Sequence, residues 1–144
     1  MAEKLLHHAL QVEKKPLNEL QTDSFGTSAI PGLPASDNSI FVLSKVGLDL
    51  KSHQSKSFEQ IDPQEALAFF CMTEGHQNNL IHFFNVAPEK VFLLRQWMDS
   101  PMKEIPDPFG MGVKAYTHCR DAIVEAIPSV LEFLRKYVPG QKSP

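Results

Sequence analysis

An α/β fold built on a parallel sheet is what this sequence predicts, and three observations predict it. Two short apolar runs, residues 66–72 and 91–94, lack the alternation of a half-solvated strand, as strands buried on both faces do. Segments with apolar residues at helical spacing lie before, between and after them. The chain of 144 residues, 42% hydrophobic and 22% charged, has the size and composition of one globular domain.

Taken in order, residues 2–12 carry Leu5, Leu6, Ala9 and Leu10 at helical spacing, with Lys4, His7, His8 and Gln11 elsewhere around the helix. Residues 20–24 are a weak strand candidate. The stretch 25–34 holds Gly26, Pro31, Gly32 and Pro34, which forbid regular structure. Ser36 or Asp37 then caps a second helix built on Ile40, Phe41, Leu43 and Val46, and Gly47 closes it. Residues 48–58 are polar and irregular. The first apolar strand follows, then a short helix through Leu80, Ile81, Phe83 and Phe84, then the second strand. Past a loop at 101–111 the chain ends in a helix whose stripe runs Tyr116, Cys119, Ile123, Ile127, Val130, Leu131 and Leu134. Pro128 is expected to kink or split that helix, since it donates no hydrogen bond and crowds the preceding turn. The domain is placed at 1–138, with 139–144 as a disordered tail.

Composition excludes several function classes. A net charge of −3 leaves no basic surplus for nucleic acid. No apolar run approaches the ~20 residues that span a bilayer, and Glu3, His7 and His8 interrupt any signal-peptide core. No membrane association and a cytoplasmic address are expected. Cys71 and Cys119 are read as small buried hydrophobes rather than a disulfide. Among the six histidines, His7 and His8 would point ~100° apart on a helix, and His76, His82 and His118 lack ligand-like companions. No metal and no cofactor are expected.

The peptide richest in chemistry is Ile105-Pro106-Asp107-Pro108-Phe109-Gly110. Pro106 and Pro108 fix their own φ, and Pro108 pushes Asp107 towards an extended conformation. The carboxyl group is thereby presented at a defined place, beside the flat wall of Phe109, while Gly110 permits a sharp turn. Such a constellation suits a general acid acting on an aromatic substrate; it also suits a rigid surface turn.

Six segments, in order, resemble the low-molecular-weight protein tyrosine phosphatase family. Met1-Ala2-Glu3-Lys4-Leu5-Leu6 looks like the helix that follows its Cys-x5-Arg-Ser-Pro-Met-Ala-Glu loop. Ser24-Phe25-Gly26-Thr27 is similar to its Ser-Ala-Gly-Thr segment, with Phe25 departing from the usual alanine. Residues 46–56, with Gly47-Leu48-Asp49-Leu50 and His53-Gln54-Ser55-Lys56, resemble its Gly-Ile-Asp-Leu-x-x-His-x-Ser-Arg stretch. Met72-Thr73-Glu74-Gly75-His76, the 105–110 loop and the closing helix complete the likeness.

The resemblance implies a flavodoxin-like three-layer fold with a small parallel sheet, and phosphomonoester hydrolysis through a phosphocysteine intermediate. It places the general acid/base on Asp107 and the pocket rim on Phe109. Ser24 and His53 fall where the family braces its phosphate loop, although a strand end and a solvated histidine are the plainer readings of those two. A phosphorylated protein or a small aryl phosphate is the implied substrate, and phosphoarginine and arsenate relatives share the scaffold. Oligomeric state is left open.

On the same resemblance the chain starts just past the catalytic cysteine, and the first, central strand of the sheet is missing with it. Either Met1 is internal to a longer, active enzyme, or the chain is a non-catalytic remnant that binds a partner. The first is favoured because the core pattern still calls for that strand. As printed, the chain is expected to be inactive.

Overall fold

A computed structural model describes residues 1–141, with side chains through Val138. Each helix forms where the sequence supplies an apolar stripe and a stop. Helix α1, Ala2–Gln11, buries Leu5 and Leu10 and rests Leu6 and Ala9 on the same core. Helix α2, Asp37–Ser44, starts where the Ser36 hydroxyl accepts the Ser39 amide at 3.2 Å, a cap worth about 1 kcal/mol. It closes at Gly47, whose φ of 79° turns the chain left-handed so that the Leu48 amide reaches Leu43 O at 3.0 Å.

Strands β1, Phe69–Cys71, and β2, Val91–Leu93, run parallel, with Phe70 opposite Phe92. Side chains alternate across this sheet. Phe69, Cys71, Val91 and Leu93 pack with Leu80 and Val86 on one side. Phe70 and Phe92 face the other, against Trp97, Phe133 and Tyr137, with Trp97 stacked on Phe133 at 4.2 Å. Helices α1, α2 and α4 (Val113–Gln141) form the layer on that second side. Helix α3, Glu74–Asn78, leads into the turns of the opposite layer. The result is the expected three-layer α/β arrangement with a small parallel sheet.

Several expectations need correction. The strand at 66–72 is shorter than its apolar run, because its flanking carbonyls bond elsewhere. Lys90 Nζ takes Ala66 O at 3.0 Å, Tyr137 Oη takes Leu67 O at 2.9 Å, and the Ile105 amide takes Met72 O at 2.9 Å. Residues 20–24 form no strand; a strand needs a ladder partner, and this segment is tied instead to α1. Among the described residues β1 likewise pairs only with β2. The helix expected through 80–84 begins earlier, at Glu74, and widens into a π-turn over Asn79–Phe83 that buries Leu80 and leaves Phe83 exposed.

Pro128 does not split α4, which runs unbroken from Val113 to Gln141. Losing one backbone bond and accepting the ring clash costs about 3 kcal/mol in a helix interior. Against this, Tyr116, Ile123, Ala126, Ile127, Val130, Leu131, Leu134 and Val138 are all buried, at about 1.5–3 kcal/mol for each large side chain. Burial wins. Pro128 sits on the solvent side, and Val124, whose carbonyl loses its partner, is exposed too. The backbone of α4 takes in 139–141 of the expected tail, and 142–144 lie outside the described residues. No helix among them is long and apolar enough to cross a membrane.

Candidate active site

The loop between β2 and α4 presents Asp107 on a scaffold of local bonds. Asp107 Oδ1 accepts the Phe109 amide at 3.0 Å, an aspartate turn that fixes the carboxylate against its own backbone. The Met111 amide returns to Pro108 O at 2.9 Å, with Gly110 at φ 79° supplying the reversal. Asn38 Nδ2 on α2 then holds Met111 O at 3.3 Å. Upstream, the loop enters through Ile105, which is 2% exposed. Asp107 itself is exposed and Phe109 stands 80% exposed, a free wall beside a free carboxylate.

Cys119 of α4 feels both the amino terminus of α1 and the charge of Asp107. Burial pushes the Cys119 thiol above its ordinary pKa, the Met1 ammonium draws it down, and the charge of Asp107 adds to the rise. Burial in turn pushes the Met1 amine below its ordinary value, opposed by Cys119 and Glu3. Helix α1 has no side-chain cap at Met1, so the N-cap residue satisfies none of its first amides.

On the flank of α1, Ser24 Oγ donates to Glu3 Oε1 at 2.7 Å. Next to it, Lys56 Nζ grips both oxygens of Asp23, at 3.0 and 2.9 Å, and that hydrogen bonding raises the pKa of Lys56. The Gly26 amide meets Lys56 O at 3.0 Å, which fastens this strip to the segment after Ser24. His53 lies in the same open groove, of about 280 Å³, with Glu3, Lys4, Asp23, Ser52, Gln54 and Lys56. His53 thus lines a groove at the start of α1 together with Glu3, the residue that Ser24 bonds, while Ser24 itself is not among the lining residues. Asp107 and Phe109 stand apart from its lining.

Neither cysteine has the surroundings of a nucleophile. Cys71 is buried on β1 and desolvation pushes its pKa up to about 12. Cys119 is on a helix, with a raised pKa. A reactive cysteine needs the reverse shift. The two also pack into different cores, on opposite sides of the sheet. Among the described residues no group of three histidine, cysteine or acidic side chains is placed to hold a metal.

Sequence reasoning quoted Glu3 and Lys56 within motifs but gave them no work. The signal for Glu3 was an acidic residue in the first turn of a helix with an uncapped start; for Lys56, one cation beside the hydroxyl-rich segment 22–28. Arg95 and Glu104, described below, gave no signal at all.

The family model described as low molecular weight phosphotyrosine protein phosphatase matches residues 1–139. A protein-arginine-phosphatase of Geobacillus stearothermophilus is 29% identical over 127 residues, 88% of this chain and 85% of that protein. The solved structure of the YwlE arginine phosphatase from Geobacillus stearothermophilus superposes with a TM-score of 0.81 at 26% identity, covering 99% of this chain and 88% of that one. The tyrosine phosphatase Wzb from Escherichia coli K30, solved with sulphate, gives 0.76 at 28% identity, over 92% and 87%. Six segments matched in order, three layers and a family model that runs nearly end to end agree: the chain belongs to the low molecular weight phosphotyrosine protein phosphatase family.

Proposed function

We propose that this protein hydrolyses phosphomonoesters on protein side chains through a phosphocysteine intermediate, with Asp107 as general acid and then general base. The observation that carries this reading is the loop itself. A carboxylate between two prolines stands exposed on the loop leading into α4, turned by its own bond to the Phe109 amide. In the first step a thiolate attacks phosphorus, the ester P–O bond breaks, and Asp107 gives its proton to the departing oxygen. In the second, Asp107 takes a proton from water, which attacks phosphorus and releases the cysteine. The uncapped first turn of α1 supplies positive partial charge towards the phosphoryl oxygens. Phe109 forms the rim, and Ser24 and His53 brace the floor through the Glu3 groove.

The family resemblance implies a Cys-x5-Arg segment ahead of α1 as the source of the attacking thiolate; Cys71 and Cys119, both shifted away from ionisation, do not stand in for it. With 4-nitrophenyl phosphate, a form carrying that segment should turn over, and Asp107→Ala should lower its kcat about 10²–10³-fold. The 144 residues alone should show no turnover. Hydrolysis by them that falls with Asp107→Ala would sink the assignment of the nucleophile.

A second reading concerns the substrate, and the two curated relatives favour it: both are protein-arginine-phosphatases, at 29% and 26% identity. Matched phosphotyrosine and phosphoarginine peptides, compared by kcat/KM, separate the two. Arsenate reduction ranks last, since Cys71 and Cys119 lie on opposite sides of the sheet and cannot form a redox pair. Residence in the cytoplasm follows from the reading, as phosphoproteins of that kind would be met there.

A further inference from the structure

Arg95 is the one buried charged residue among the described residues, 4% exposed. Burying a guanidinium is costly, and its single ionic partner, Glu125, is itself 61% exposed, so charge pairing alone does not explain the placement. Its other bonds go to backbone. Nε donates to Met102 O at 2.9 Å, at the root of the loop that carries Asp107. Nη1 donates to Ala122 O at 2.8 Å in α4, and meets Glu125 at 3.2 Å. The planar fork of arginine reaches two carbonyls in different elements at once; an ammonium or an amide does not.

We propose that Arg95 is a positioning residue that fixes the acid loop against α4, and so sets where Asp107 stands; its catalytic consequence rests on the role given to Asp107 above. The loop has a separate anchor to the sheet, where the Ile105 amide meets Met72 O. A third bond, from the Glu74 amide to Glu104 Oε2 at 2.7 Å, ties it to the start of α3. Those two hold it to the sheet and to α3. Arg95 is the hydrogen-bonded tie from its root to α4, the helix that also bears Cys119. Without the guanidinium the Met102 end of the loop loses its hydrogen-bonded tie to α4.

The test compares wild type, Arg95→Met and Arg95→Lys. Methionine keeps the stem and removes every donor; lysine keeps the charge and loses the fork. By amide hydrogen exchange on the 144-residue chain, Arg95→Met should speed residues 100–111 about tenfold or more. Peptides from β1, β2 and the C-terminal half of α4 should hold their rates, and Arg95→Lys should fall between. Uniform acceleration along the chain, or none at 100–111, overturns the proposal, and Arg95→Lys decides if the methionine variant does not fold. In a form carrying the Cys-x5-Arg segment, Arg95→Met should lower kcat/KM, which reports the first step alone, about tenfold more for phenyl phosphate than for 2,4-dinitrophenyl phosphate, whose leaving group needs no acid. Equal losses on both substrates count against it. Asp107→Asn is the control: if it shows no such selectivity, the role of Asp107 falls, while the exchange result still judges Arg95.

Discussion

Single side chains decide the electrostatics of this molecule. Ser24 Oγ meets a carboxylate at 2.7 Å in a half-buried setting, and hydrogen bonds to charged groups are worth about 1.5–3 kcal/mol. Ser24→Ala should therefore lower unfolding free energy by about 1–2 kcal/mol in urea titrations, with Glu3→Gln milder because the amide oxygen still accepts. Cys71 gives a pH dependence. Its folded pKa, about 12, lies above the ordinary 9.0, so above pH ~9 the unfolded chain releases a proton that the native state keeps. The thiol's contribution is complete below about 9 and is lost as pH rises towards about 12, at up to ~1.4 kcal/mol per unit. Denaturant midpoints from pH 8 to 11 should fall accordingly, and Cys71→Ala should flatten the slope.

Elements succeed or fail here by what satisfies their backbone. Pro128 is exposed within α4, so replacing it by alanine opens no cavity and restores a bond to Val124 O. The gain, reduced by greater freedom in the unfolded chain, should be about 1–2 kcal/mol by chemical unfolding. An unchanged midpoint would mean that this helix already bends to accommodate the ring. Much of this level was readable beforehand. Ser36, Gly47 and the two apolar runs announce their elements because cap, left-handed turn and buried strand are local properties. What escaped depends on distant partners. Nothing near Ala66 or Leu67 says that Lys90 and Tyr137 will take their carbonyls. At the site the division is the same. Asp107 is visible through its flanking prolines, whereas Arg95 works through carbonyls that any residue could offer.

At the scale of the whole molecule the first and last helices share one interface. Leu5 and Leu10 of α1 enter a core with Ile127, Val130, Leu131, Leu134 and Val138 of α4, and Arg135 pairs with Glu13 at 2.6 Å. Removing residues from 132 onward should strip Leu134 and Val138 from that core and release α1. Far-ultraviolet circular dichroism should then lose more helical signal than the deleted residues account for, and urea unfolding should broaden. A loss matching the deletion alone would show that α1 stands without α4.

The same interface has a consequence during synthesis. A chain leaving the ribosome exposes the apolar face of α1 long before its cover, since the α4 residues that bury it are translated more than a hundred codons later. The larger core cannot close until the final helix has cleared the exit tunnel. Until then the leucines of the opening helix need a chaperone or a transient, non-native shelter.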